Sequence, residues 1–237
     1  VVDGTGTAAP LTLENAVTTV DSLVLRATGG DTSIDLAGQT LALDTLTLLD
    51  GTGGLSLAGP GTLTFAGNLR GGMLLLDNRG TNALAVQAAI ADNTSALTLV
   101  KKGAGPLVLS GENVFTGGTQ VKGGTVRQTA GTLSGALSID NTAMNLTGGT
   151  LDCSGTVAVN ANGGSSASIA ISGTHVSDWR GVNLAGGTAP ITVTNGGILM
   201  LDSLTSSIGF STGTLFVDGG LVGVSAKGIS LAAEGWI

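Results

Sequence analysis

Apolar residues alternate with small residues in many short runs along the chain. Typical runs are Leu46–Leu48, Leu55–Leu57 and Leu137–Ile139, each with Leu or Ile at positions i and i+2 and a Thr or Ser between them. Residues two apart share one face of a β-strand, and the residue between them faces the other way. The pattern therefore predicts many short strands, each with one buried face.

Glycine-rich corners separate these runs. Gly-Gly pairs recur, for example at 117–118, 123–124 and 148–149, and equivalent units lie about 20 to 30 residues apart, the repeat length of solenoid proteins. Glycine adopts positive φ angles without steric cost, which suits a tight corner. We therefore expect residues 1–237 to form a single all-β domain, a β-solenoid of roughly eight to ten coils. With about 4.8 Å between stacked strands, the rod would be on the order of 40–50 Å long.

Two other structures compete with this prediction. The segment Ala83–Asp92 is rich in Ala and could form a short helix, but a strand followed by a corner fits its sequence equally well, and we favour the strand. An antiparallel sandwich would need many tight hairpins, and the Asn-Gly and Asp-Gly signals typical of them are too few. Aromatic residues make up only 3% of the chain, fewer than we expect for a sandwich core. The solenoid remains the favoured fold.

Composition and charge narrow the class of protein. Although 41 of the 237 residues are Gly, 42% are hydrophobic and the mean hydropathy is +0.43, so the chain can bury a core, unlike a typical disordered sequence. The net charge of −7 argues against nucleic acid and anionic membrane surfaces as partners, because both attract basic proteins. Apolar runs fall far short of the roughly twenty residues of a spanning helix, so no membrane insertion of this segment is expected. The chain begins with Val and shows no signal peptide, so we expect a segment of a larger protein.

The segment 97–126 carries the most specific motif. It resembles the autotransporter-associated β-strand repeat, found in passenger-type β-helix proteins. The positions that carry the resemblance are Leu99, Lys101, Gly103, Gly105, Leu107, Leu109, Ser110, Gly111, Asn113, Phe115, Thr116, Gly117, Gly118, Thr119, Val121, Gly124, Thr125 and Val126. The resemblance implies a right-handed parallel β-helix in a large secreted or surface-displayed bacterial protein, and therefore an extracellular or cell-surface location.

Packing logic assigns structural roles within this segment. Alternation turns Leu107, Leu109, Val121 and Val126 towards the interior. Asn113 falls where the coil must bend, and its side chain can satisfy backbone groups at the corner. Phe115 would be a larger core residue. The adjacent pair Lys101-Lys102 is expected to be a solvated corner.

Few residues suggest chemistry. Acidic residues are scattered, with no paired carboxylates, and no motif for a catalytic site, a cofactor or a metal is present, so we predict none of the three. Cys153 is the one cysteine, which excludes an internal disulfide, and we expect a buried structural thiol. The segment His175–Arg180 is unusual because it combines the one His with Asp178, Trp179 and Arg180. It could be a protruding loop that contacts a partner or glycan, since Trp and Arg are enriched at binding hot spots, or a corner loop with Trp179 packed on the solenoid.

These observations favour a noncatalytic structural or adhesive module of a bacterial surface protein. Neither end of the chain carries an obvious cap for unpaired strand edges. Self-association through the ends or sides of the solenoid, into a filament or sheath, is therefore one expectation. Binding of a glycan or another cell-surface ligand is a second. The alternative function is a glycan-binding or glycan-cleaving β-helix, which a cluster of three or more carboxylates or basic residues in one side groove would favour.

Overall fold

The computed structural model describes residues 2–4, 11–67, 71–188, 190–201, 209–210, 214–224 and 230–231. Residues at both ends of the chain, on which the prediction of self-association partly depends, lie outside these ranges. The described strands are β1 (Val2–Gly4), β2 (Leu11–Thr12), β3 (Val17–Ala27), β4 (Thr32–Asp35), β5 (Thr40–Leu49), β6 (Leu55–Ala58), β7 (Thr62–Thr64), β8 (Met73–Asn78), β9 (Leu84–Val86), β10 (Ala89–Ile90), β11 (Thr98–Lys102), β12 (Leu107–Leu109), β13 (Thr119–Val121), β14 (Thr125–Gln128), β15 (Thr132–Ser134), β16 (Leu137–Asp140), β17 (Ala143–Leu146), β18 (Thr150–Ser166), β19 (Ser168–Ile171), β20 (Val176–Thr188), β21 (Pro190–Thr194), β22 (Ile198–Leu201), β23 (Gly209–Phe210), β24 (Thr214–Asp218), β25 (Leu221–Val224) and β26 (Ser230–Leu231). Within these ranges there is no helix long and apolar enough to cross a membrane.

The strands stack in parallel into two sheets, which confirms the predicted β-solenoid. Sheet 1 contains, among the described residues, ten strands in the order β2-β4-β6-β9-β12-β14-β17-β19-β21-β24. Sheet 2 bends around a corner, because β5 pairs with β7 through residues 40–42 and with β8 through residues 45–48. Each coil therefore contributes one strand to sheet 1 and runs along two walls of sheet 2. Ten rungs in sheet 1 agree with the predicted eight to ten coils.

Coil length varies while the register of the core stays constant. Leu84 follows its stacking partner Leu55 by 29 residues, whereas Met144 follows Val126 by only 18 residues. The extra residues of a long coil are taken up between strands, where they do not disturb the pairing. This tolerance explains why the sequence shows an irregular repeat interval.

The core is a set of inward-facing columns of aliphatic side chains. One column in sheet 1 contains Leu55, Leu84, Leu107, Val126, Met144, Ile169, Ile191 and Leu215, all of them buried. The residues predicted to face inward in the motif segment, Leu107, Leu109, Val121 and Val126, are buried as expected, as is Phe115. Burial of about 25 cal/mol per Å² of apolar surface is the main force that holds such coils together. The segment Ala83–Asp92 contains strands β9 and β10, as predicted, rather than a helix.

The Gly-Gly pair before β13 shows why corners need glycine. A Cβ atom on Gly117 would lie 2.5 Å from the carbonyl oxygen of Leu97 in the coil below, closer than atoms can approach. Gly118 has a φ angle of 85°, a conformation that residues with a Cβ rarely adopt. The two glycines thus serve different purposes, close approach in one case and backbone conformation in the other.

Candidate functional site

The four residues predicted as a partner contact are divided between the interior and the surface. His175 immediately precedes strand β20, and both His175 and Trp179 are fully buried, whereas Asp178 is exposed. The protruding loop considered for this segment is therefore wrong, because alternation along β20 turns His175 and Trp179 inward. The side chain of Arg180 lies outside the described part of the structure. Contact with a partner through Asp178 stays a prediction.

The buried imidazole is held by two hydrogen bonds. Nδ1 of His175 lies 3.1 Å from the carbonyl oxygen of Gly148, and Nε2 lies 2.8 Å from the Ser177 hydroxyl. Because a carbonyl can only accept, Nδ1 carries the proton and Nε2 accepts from the hydroxyl in the neutral ring. Burial lowers the pKa of His175, opposed by the bond to Gly148. A Ser–His pair of this kind can activate a nucleophile, but both side chains are fully buried and no substrate reaches them in this conformation.

The neighbouring thiol is also a structural group. Cys153 is fully buried and pairs in register with Trp179, which in turn pairs with Leu201. Burial, followed by the negative charges of Asp152 and Asp178, raises the pKa of the Cys153 thiol to about 12. The thiolate needed for nucleophilic chemistry is therefore scarce at neutral pH. The prediction of a buried thiol is confirmed.

Lys101 corrects the prediction of a solvated lysine pair. Lys102 is exposed, but Lys101 is fully buried. Its Nζ donates to the carbonyl oxygens of Lys102 at 2.5 Å, Gly103 at 2.9 Å and Gly123 at 3.1 Å. Burial lowers the pKa of Lys101 to about 8, and the negative charge of Asp77 acts in the opposite direction. The ammonium group satisfies three corner carbonyls from two successive coils.

Other buried polar side chains serve corners in the same way. Asn113 accepts a hydrogen bond from the Ile90 amide at 3.1 Å and donates to the Gly111 carbonyl at 2.9 Å, in agreement with the role predicted for it. Gln128 donates from Nε2 to two further carbonyls at 3.0 and 2.9 Å. A solenoid corner interrupts the strand ladder and leaves backbone groups without partners. Inward-facing amide and ammonium groups supply these partners, so the buried polar residues stabilise the fold.

The exterior is mostly small and polar, and it carries hydrogen-bonded columns of its own. On sheet 2 the Thr150 hydroxyl donates to Oγ1 of Thr132 at 3.2 Å, and the Thr132 hydroxyl in turn contacts a carboxylate oxygen of Glu112 at 3.2 Å. Among the described residues, no group of three or more His, Cys, Asp or Glu side chains is arranged to hold a metal ion. Any contact with a partner must be made through this outer surface.

A parallel β-solenoid whose interior polar groups serve its corners defines the structural class, and comparison with known proteins adds the family of its motif. Residues 99–127 match the passenger-associated-transport-repeat, which confirms the resemblance noted for the segment 97–126. The chain is also similar to the adhesin BmaC autotransporter of Brucella suis biovar 1 (strain 1330), at 37% identity over 98 residues. That alignment covers 40% of this chain and 3% of the adhesin, so the chain spans a small part of the length of that relative. No solved structure matches the chain significantly.

Proposed function

We propose that this chain is a noncatalytic adhesive module of a larger bacterial protein, presented at the cell surface or outside the cell. The observation that carries the proposal is the similarity of 98 residues to an autotransporter adhesin, together with the passenger repeat at residues 99–127. In this role the solenoid is a rigid spacer, and its outer faces make the contacts.

The distribution of reactive side chains supports a role without catalysis. The imidazole of His175 and the thiol of Cys153, which are the strongest candidates for nucleophilic chemistry, are both fully buried. Each also has a pKa shifted by burial in the direction that keeps it neutral. A folded solenoid therefore presents chiefly hydroxyl, amide and carboxylate groups to its surroundings, which are groups suited to binding.

A bead assay tests adhesion directly. Beads coated with the purified chain are passed over cultured epithelial cells and over surfaces coated with extracellular-matrix proteins. We expect several times more beads to be retained than with an albumin coat, and the heat-denatured chain should lose the effect. Equal retention of folded chain, denatured chain and albumin on every surface would refute the proposal. Self-association through the ends or sides stays a prediction, which analytical ultracentrifugation over a range of concentrations tests.

A further inference from the structure

A shallow groove crosses the outer surface of sheet 1 at one corner. It has a volume of about 270 Å³ and spans successive coils around strands β4, β6 and β9. Its floor consists of residues with little or no side chain, namely Gly54, Ser56, Ala83 and Ala85. In the outward column of Ser56 and Ala85, the next positions are Val108 and Arg127, so larger side chains close the groove on that side.

Polar groups at the edge of the groove are held in place by the backbone. One carboxylate oxygen of Asp31 accepts the Gly54 amide at 2.7 Å, and the Asn82 amide nitrogen donates to the Gly51 carbonyl at 3.1 Å. Within the described residues, the second oxygen of Asp31 and the amide oxygen of Asn82 have no hydrogen-bond partner, and neither has the Ser56 hydroxyl. Fixed groups with unused hydrogen-bonding capacity favour binding, because little conformational freedom is lost when a ligand arrives.

The chemistry of the lining selects a class of ligand. The carboxylate of Asp31 and the absence of Lys and Arg from the described lining disfavour an anion. One carboxylate is also too few for a calcium ion, which takes about six to eight oxygen ligands. A sugar ring offers hydroxyl donors for the carboxylate and amide oxygens, and its C–H face suits the methyl groups of Ala83 and Ala85. Since ligand pockets usually begin at roughly 300 Å³, the groove is suited to one ring rather than a long oligosaccharide.

We propose that this groove binds a neutral sugar residue of a surface glycan. The inference deepens the proposed adhesive function and rests on it for its biological setting. Asp31 and Asn82 would accept hydrogen bonds from sugar hydroxyls, Ser56 would add a hydroxyl contact, and the two alanines would pack against the ring.

Saturation-transfer difference NMR tests the proposal with D-galactose, D-mannose and N-acetyl-D-glucosamine as probes. We expect at least one probe to bind the wild-type chain. Ala85→Met would fill the floor of the groove and weaken that binding by about tenfold or more, equivalent to about one lost hydrogen bond in free energy. Ala170→Met is the matched control, because Ala170 occupies the same outward column of sheet 1 in later coils, outside the described lining of the groove. Asp31→Asn should weaken binding several-fold without filling the groove.

The outcomes separate this inference from the proposed function. No binding of any probe to the wild-type chain, or equal binding by Ala85→Met and wild type with both folded, would overturn the sugar site. If Ala85→Met beads still adhere to cells as well as wild-type beads, adhesion stands and the groove is not its basis. If the groove binds a sugar but wild-type beads do not adhere, the sugar site stands and the adhesive function fails.

Discussion

Replacement of Lys101 by Met tests whether the buried ammonium group holds two coils together. Met keeps the length and apolar character of the side chain but removes every donor. The carbonyl oxygens of Lys102, Gly103 and Gly123, which now accept hydrogen bonds at 2.5 to 3.1 Å, would lose their partner inside the protein. We therefore expect Lys101→Met to lower the free energy of unfolding.

The structure gives the approximate size of the effect. Hydrogen bonds to a charged group contribute about 1.5–3 kcal/mol each, so three of them contribute up to about 4–9 kcal/mol. Against this, the fall in the pKa of Lys101 from 10.5 to about 8 indicates a cost of about 3 kcal/mol for burying the charge, and Met avoids that cost. The net loss should be about 3 kcal/mol, to within a factor of about two.

Urea unfolding followed by circular dichroism measures this loss. Lys102→Met is the matched control, because Lys102 is exposed and its replacement should change stability by less than about 0.5 kcal/mol. Equal unfolding midpoints for the two variants would refute the reasoning, since they would show that the three hydrogen bonds contribute no more than an exposed lysine does.

Three further predictions concern other buried groups. Because burial holds the pKa of His175 below its ordinary value of 6.5, the unfolded chain binds the proton first, so urea midpoints should fall as pH drops below about 6.5 and His175→Gln should remove this component. Asn113→Ala leaves the Ile90 amide and a carbonyl without partners and should cost about 2 kcal/mol in urea unfolding, whereas Asn145→Ala, at an exposed position, should cost little. Cys153 should resist iodoacetamide in the native state and react only once urea unfolds the chain; prompt native-state labelling, measured by mass spectrometry, would contradict its burial.

Alternation predicted the fold because it is a local property that survives changes in coil length. The residues at i and i+2 in Leu107–Leu109 are inward whether the next coil follows after 18 or 29 residues. Glycine-rich corners added the approximate spacing of the coils. The sequence pattern was therefore sufficient for the class of fold, for the motif segment and for most of the aliphatic core.

The buried polar residues were predicted less well because their partners are remote in sequence. Lys101 has the same parity as Leu99, and the alternation alone would have turned it inward. It was assigned to solvent because burying an unpaired charge is costly. One of the acceptors that offset this cost, the Gly123 carbonyl, lies 22 residues later, and only the stacking register brings it close. The same parity signal, shared by His175 and Trp179, was available but was outweighed by their rarity in the chain.

The separation of interior and exterior columns explains how one rod can carry different contact surfaces. Along one outward column of sheet 2, Thr132 and Thr150 are followed by Val176, Ile198 and Leu221. Exposure reaches 37% for Val176 and 58% for Leu221, so the surface changes from polar to apolar while the coils continue in register. Because the corners are satisfied from the inside, outward residues are free of that structural duty. Binding specificity can therefore change along the outer columns without altering the solenoid itself.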